Sequence, residues 1–495
     1  MAVHAALSSM EDVDVLVIGS GFGGLGAGVE LKRRGHSSFV ILEQADRVGG
    51  VWRENTYPGC ACDVRVHLYS FSFFPNPDWS HSYARQPEIL TYLERVARTF
   101  GLLPHLRFGH RVVETKWNET SARWDVSCEN GARFSARFVI AGLGGLSRPA
   151  LPDLPGLPTF KGPVFHSARW DHSVEVSKAR VGVIGTGASA IQFVPHLVER
   201  SPKVSLFQRT PPWIMPRHDT PIGPGLRALM KAVPLVQLLF RWALYWLHEL
   251  RVPAFVKATW LMKVARLAAL KHLENQVADP SLRAKLTPDY TLGCKRVLVS
   301  DDFYPAVAKP NCEVVTTPID TIVESGVRTR DGQVHPCDVL VFGTGFQVTD
   351  IVGQLSVIGR NGASLADVWS QGAKAWYGLA IHGFPNFFLL TGPNTGLGHS
   401  SMVFMIESQL AFVMKTIDIV LNTGARWWQV RDDAEASFHA AVQRRLQQTV
   451  WLSGCRSWYL DERGQNVTLW PGFTFTFRAG LSRFDKRLHH LEGVS

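Results

Sequence analysis

The residues with the clearest chemical meaning in this chain are glycines. Gly19-Ser20-Gly21-Phe22-Gly23-Gly24 follows directly on the apolar run 13–18 and opens a helical pattern through Leu31. In such a GxGxxG, Gly19 permits a tight turn and Gly21 lets the backbone approach a pyrophosphate. Gly24 allows the helix to pack closely on the strand, and the helix N-terminus offers unpaired N–H groups to the phosphates. The next apolar run, 38–43, ends in Glu43, 24 residues past Gly19. A carboxylate there can hydrogen-bond ribose hydroxyls.

The pattern recurs from Arg180, where an apolar run leads into Gly185-Thr186-Gly187-Ala188-Ser189-Ala190. Here the third small position is Ser189 or Ala190 rather than glycine. The following run closes at Arg209, again 24 residues past the first glycine, but with a guanidinium where the first site has an acid. Arg pairs bidentately with a 2′-phosphate that a carboxylate would repel, which points to NADPH rather than NADH; a surface Arg after a strand is the alternative. Two dinucleotide sites on one chain suggest an electron donor and a flavin, NADPH and FAD.

Such turns need strands beneath them, and the apolar runs 136–144 and 338–346 read as strands crossing back under each nucleotide. The expected fold is α/β, with two Rossmann-like dinucleotide-binding domains and a helical insertion. The FAD domain would be discontinuous, 1–150 and 385–495. The NADPH domain would comprise 151–222 and 289–384, with the insertion or lid at 223–288.

Composition narrows the function classes. With 495 residues, 46% hydrophobic and only 19% charged, the chain can bury large cores and is no disordered polymer. Seven cysteines without repeating spacing argue against a disulfide scaffold and for a reducing compartment. Cys60-Ala61-Cys62 is a poor dithiol geometry, read as two small buried residues, so a disulfide reductase loses support. The 18 histidines are scattered and suggest no metal site. The N-terminus lacks the basic and apolar regions of a secretory signal, so a cytoplasmic protein is expected. The stretch 375–406 lacks Asp, Glu, Lys and Arg but is broken by glycines, prolines and histidines, and reads as buried core around a cofactor rather than a membrane span. No nucleic-acid module is present.

Two further segments carry a family resemblance. Gly49-Gly50-Val51-Trp52 through Tyr57-Pro58-Gly59 to Asp63, and Phe160-Lys161-Gly162 with His166, Trp170 and Asp171, resemble the two fingerprints of the Baeyer–Villiger monooxygenases. With GxGxxG, GxGxS and Gly293-Cys294-Lys295-Arg296, the resemblance runs along nearly the whole chain. It implies a single-component FAD and NADPH enzyme that adds O2 to reduced flavin and, through a C4a-peroxyflavin, inserts oxygen beside a ketone carbonyl to give an ester or lactone. S- or N-oxygenation of soft nucleophiles such as thioethers is the alternative.

By position, the resemblance implies that Arg296 is the catalytic arginine and Asp63 the carboxylate that orients it. Without the motif, Arg296 would read as one half of a solvated Lys-Arg pair. Lys295, Arg209 and Thr210 match the cradle for the NADPH 2′-phosphate. Trp52, Tyr69 and Trp458 match cofactor-side positions, with an ordinary core tryptophan the equal alternative for Trp52. His166 and Trp170 are read as coupling domain motion rather than moving protons. The C-terminal segment departs from the family pattern at Asp461, Glu462 and Arg463 and at Trp470-Pro471-Gly472.

The net charge of +10 is concentrated: between 226 and 271 there are eight Lys or Arg and one acid, Glu249, together with Trp242, Trp246 and Trp260. Pro224, Pro234 and Pro253 punctuate this helical stretch. Two readings remain: a lid over a substrate tunnel, apolar face inward and charges in water, or peripheral contact with a membrane or lipid substrate.

Overall fold

The computed structural model describes residues 10–493 apart from 258, 351, 354 and 456. Residues 1–9, part of the stretch read for leader character, lie outside the described residues. Two β-sheets, each with a parallel core, carry the two glycine turns, and both are built in the same way.

In the first sheet the strand Glu11–Ile18 lies between Phe39–Leu42 and Arg133–Ala141, parallel to both. Its second half is buried throughout, as a strand covered on both faces requires. The strand Arg133–Ala141 serves two further partners. Its first half pairs antiparallel with Arg123–Cys128, and Val139 to Ala141 pair parallel with Phe387–Leu389. The second sheet is wholly parallel, in the order Cys312–Val315, Lys203–Phe207, Arg180–Ile184, Val339–Phe342, Val164–His166. The runs at 136–144 and 338–346 thus form the strands beside each glycine turn. Gly142 N donates to Ile18 O (2.8 Å) and Gly343 N to Ile184 O (2.9 Å).

Three features differ from the sequence reading. The second strand of the second unit ends at Phe207, two residues before Arg209, where the Gln208 side chain turns to donate to Lys285 O (2.7 Å). The chain also rejoins the first sheet before residue 385: Ser356–Ile358 pairs with Val112–Asn118. A disulfide, Cys294–Cys455, joins two residues 161 positions apart, a bridge that cysteine spacing gave no reason to expect. Cys60 and Cys62 are free and buried, in line with the reading of that turn.

Between the two short paired strands Ile214–Met215 and Leu298–Val299 the chain forms the helices Pro224–Ala232, Pro234–Glu249, Val252–Val256, Met262–Gln276 and Pro280–Leu286. Pro224, Pro234 and Pro253 sit in the first turns, where a missing N–H costs no hydrogen bond. The stretch 375–406 is coil, the short strand Phe387–Leu389 and the start of helix Met402–Thr423. Among the described residues no single helix is long and apolar enough to cross a membrane.

The glycine turns are sterically enforced. A Cβ on Gly24 would lie 1.8 Å from Gly19 O, and one on Gly19, at φ +91°, would lie 2.7 Å from Gly142 O. By contrast, a Cβ on Gly225 would meet nothing within 4 Å. Gly24→Ala is therefore expected to destabilise the protein by about 1–3 kcal/mol, and Gly225→Ala to leave its melting temperature unchanged or raised. Thermal unfolding of the two variants checks this, and equal melting temperatures would contradict it.

Candidate active site

The first glycine turn opens on a helix, Phe22–Arg33, that has no side-chain cap and no acid in its first turn. Its N-terminal end is thus free to face an anion. A Cβ on Gly21 would meet only Gly50 Cα, at 3.6 Å, so the space beside its backbone is open. Gly50 begins the short helix Val51–Glu54. That helix brings in Trp52, whose Nε1 donates to Tyr69 Oη (3.2 Å), while the Tyr69 ring stands edge-on to Phe22 (5.1 Å). Gly19, Gly21, Gly24, Trp52 and Tyr69 therefore share one neighbourhood.

Glu43 belongs to it as well, but with partners of its own. Oε2 accepts from Ser20 N (2.9 Å) and Ser20 Oγ (2.7 Å), and Oε1 from Ala45 N (3.0 Å). Arg53 lies 3.1 Å from Oε1. Arg53, which no motif singled out, is the cation that balances this buried acid.

The second turn repeats the plan. Helix Ala190–Arg200 starts at Ser189 with no side-chain cap and no acid in its first turn, and Gly187 is exposed. Thr186 Oγ1 donates to Thr210 O (3.1 Å), fixing the loop that carries Arg209. Lys295 comes to the same edge from the far side of the insertion. Its ammonium sits over the Tyr290 ring (4.7 Å). Burial, then the Arg209 guanidinium, hold it below its ordinary pKa, and Asp289 offsets them only in part. Two cations held together beyond what the nearby acid balances form a receptor for a dianion.

Between the two cradles lies the pair Arg296–Asp63. Arg296 Nε donates to Asp63 Oδ2 and Nη2 to Oδ1, both at 2.8 Å. This fork geometry keeps the guanidinium oriented, and the carboxylate raises its pKa above an already high ordinary value, so Arg296 stays charged.

Each partner is held by its own scaffold. The loop before Asp63 is clamped to the second unit, where Ala61 N and Tyr57 Oη donate to Gln192 Oε1 (3.2 and 3.0 Å) and Gln192 Nε2 donates to Ala61 O (3.0 Å). Gly59 abuts the same helix, with Gln192 O 2.6 Å from where its Cβ would be. Arg296 follows Gly293, at φ +94°, and Cys294, which is bridged to Cys455.

The bridge brings the C-terminal segment to the site. Tyr459 is fully buried, and burial, eased by Arg296 beside it, pushes its hydroxyl up to about 12. Tyr459 thus joins the arginine's environment. Trp458, which the sequence reading turns toward cofactor, is 42% exposed and packs on Tyr459 with ring centroids 4.4 Å apart.

Other groups drop out of the chemistry. Burial raises Cys60 to about 12, so it stays a thiol. His166 is buried against Phe346, and burial lowers it to about 4, so it is neutral at physiological pH. Trp170 packs on Phe165 and Phe193 of the second unit (5.1 and 5.3 Å), and Asp171 is exposed, accepting from Ser173 N (2.9 Å).

Known proteins resemble this chain in sequence and in fold. Residues 12–351 match the flavin-binding monooxygenase-like family model. A Baeyer-Villiger monooxygenase of Streptomyces coelicolor is 48% identical over 98% of this chain and 93% of its own length. Oxidized steroid monooxygenase bound to NADP superposes with a TM-score of 0.88 at 31% identity, covering 97% of this chain and 99% of that one. OTEMO in complex with FAD and NADP gives a TM-score of 0.88 at 26% identity, covering 97% and 99%. The chain belongs to the flavin-binding monooxygenase-like family and, within it, to the Baeyer–Villiger monooxygenases.

Proposed function

We propose that this enzyme binds FAD in the first glycine cradle and NADPH in the second, and inserts one atom of O2 beside the carbonyl of a small-molecule ketone, giving an ester or lactone. The observation that carries the reading is the bidentate Arg296–Asp63 pair set between the two cradles.

The residues present fit both groups. Each cradle has an uncapped helix start free of acid, and a glycine turn closed to any side chain. Gly19, Gly21, Gly24, Glu43, Trp52 and Tyr69 would hold FAD. Gly185, Gly187, Ser189, Thr210, Arg209 and Lys295 would hold NADPH, the last two at its 2′-phosphate. Trp458 would close over the cofactor from the exposed C-terminal segment. Bound flavin, reduced by NADPH, supplies the oxygen-activating chemistry.

The chain's own contribution is electrostatic and positional. Arg296 offers N–H donors where negative charge grows, and its charge does not depend on pH over any working range. Asp63 occupies the Nε and Nη2 donors. The remaining Nη1 reaches Leu397 O at only 3.5 Å and is the edge available to a reacting oxygen. Tyr459 and Leu397, both buried, border the guanidinium, which itself stays 29% exposed. His166, which burial keeps neutral, is not an imidazolium acid at neutral pH.

A requirement for NADPH supports a cytoplasmic location, where the Cys294–Cys455 bridge would meet a reducing thiol pool.

Product analysis with cyclic, linear and aromatic ketones beside an aryl thioether tests the reading. Ester or lactone from a ketone is expected, and sulfoxide alone would transfer the reading to soft nucleophiles. Arg296→Ala should lower oxygenated product about 100- to 1000-fold while FAD stays bound and NADPH oxidation persists in part. Normal ester formation by that variant would overturn the role of Arg296. Arg209→Glu should raise KM for NADPH much more than for NADH. An unchanged ratio of the two would remove Arg209 from the 2′-phosphate site.

A further inference from the structure

The helix Pro234–Glu249 is apolar on both of its faces. Inward it buries Leu244 and Tyr245 together with three polar side chains, Gln237, Arg241 and Glu249, each engaged by the body of the protein. Gln237 Nε2 donates to Asn76 O (2.7 Å) and Arg241 Nη1 to His67 O (2.6 Å) and Ser70 O (3.0 Å). Glu249 accepts from Thr474 N (2.9 Å) and Thr474 Oγ1 (2.8 Å).

The outward face is apolar. Leu235, Leu239, Trp242, Trp246 and Leu250 recur at intervals of three or four residues and are 48–74% exposed. Trp260, Val264 and Leu267, on or just before the next long helix, Met262–Gln276, are exposed as well. The lid expectation of an apolar face inward and charges in water is met by Leu244, Tyr245 and the exposed lysines, but it leaves this second, outward apolar face unaccounted for. An apolar surface of this extent, rich in tryptophan, is a contact surface.

The charge around it selects the occupant. From 226 to 276, the end of the second helix, eight cations face two acids, Glu249, which is buried and engaged, and Glu274, which is exposed. Lys231 is paired with Asp78 (2.6 Å), but Lys257, Lys263 and Lys271 are exposed and have no ion-pair partner among the described residues. Exposed leucines and tryptophans in one insertion with unpaired cations match a membrane surface, with acyl chains receiving the leucines and acidic headgroups the lysines. The geometry also says how deep the contact goes. Helices Pro224–Ala232 and Pro234–Val256 meet at 110°, so the segment suits lying in the interface rather than spanning it.

We propose that the outward apolar face of helix Pro234–Glu249, together with the basic helix Met262–Gln276 of the same insertion, docks the enzyme peripherally on an anionic phospholipid bilayer. The consequence for catalysis is positional. Val252–Val256, the next helix in the insertion, packs Phe255 against Trp451 (6.0 Å) beside the Cys294 loop, so the docked face connects directly to the wall of the active site. A bilayer-bound enzyme could draw ketones from the lipid phase.

Flotation of the FAD-loaded enzyme with large vesicles tests this. With phosphatidylcholine mixed with phosphatidylglycerol the enzyme should float. Phosphatidylcholine alone, or high salt, should reduce the bound fraction several-fold. Trp242→Glu with Trp246→Glu should cut binding to the mixed vesicles about tenfold or more. Lys263→Glu with Lys271→Glu should remove the preference for acidic lipid. NADPH oxidation without vesicles should be unchanged in both double variants, which shows that they fold. Absence of binding to mixed vesicles, or binding unaltered by both double variants, would overturn the proposal. So would a dimer in sedimentation that the tryptophan variants convert to monomer, because the face would then belong to a second copy of the chain.

Discussion

Arg296 and Asp63 can meet only when everything around them is in place. They are 233 positions apart and come from opposite sides of the molecule's division into two sheets. Asp63 ends a segment that leaves the first sheet and is clamped by Gln192 on the first helix of the second. Arg296 leaves the insertion on a loop tied by Cys294 to the C-terminal segment. Both units and the insertion therefore converge on one ion pair. Its members are each about one quarter exposed, and holding two charges partly out of water in this way contributes little net stability. What the pair contributes is orientation: a permanent cation held by two hydrogen bonds to one carboxylate, which leaves Nη1 outside the pairing.

The two cradles are variations on one piece of steric logic. In each, the returning strand places a carbonyl, Gly142 or Gly343, where a side chain on the first glycine would stand. The crevice at the end of the parallel strands then belongs to a ligand. They differ in charge. In the first, the acid Glu43 is matched by Arg53 within the protein. In the second, Arg209 and Lys295 face each other with Asp289 as only a partial offset, and the depressed pKa of Lys295 records its burial first and their mutual repulsion second. Such an excess of cations is stable where an anion is expected to neutralise it.

The parts of this organisation set by local sequence were legible from the residues alone. The glycine turns, the flanking strands and the proline-started helices follow from backbone sterics acting over a few residues; the strands entering each turn lie within two residues of where the spacing puts them, and those returning beside them within four. Contacts that close long loops were not legible. Nothing in the spacing of seven cysteines pairs Cys294 with Cys455, and nothing around Tyr459 announces that it packs beside Arg296. The insertion shows a subtler limit: its periodicity indicates the helices and its composition the charge, but periodicity cannot say which face turns inward. Acceptors on the first unit, His67 O, Ser70 O and Asn76 O, settle it by drawing in Arg241 and Gln237, with Leu244 and Tyr245 on the same side and Leu235, Leu239 and Leu250 outside.

Whether a carboxylate-oriented Arg296 directs activated oxygen to the substrate can be decided with Asp63→Asn, which keeps the shape of the partner and removes its charge. The quantity to measure is the ratio of ketone oxygenated to NADPH consumed, with released hydrogen peroxide determined in the same reaction. NADPH consumption should continue while oxygenated product per NADPH falls about tenfold or more, with peroxide making up the difference. A ratio equal to that of the unaltered enzyme would show that Arg296 needs no carboxylate to do its work.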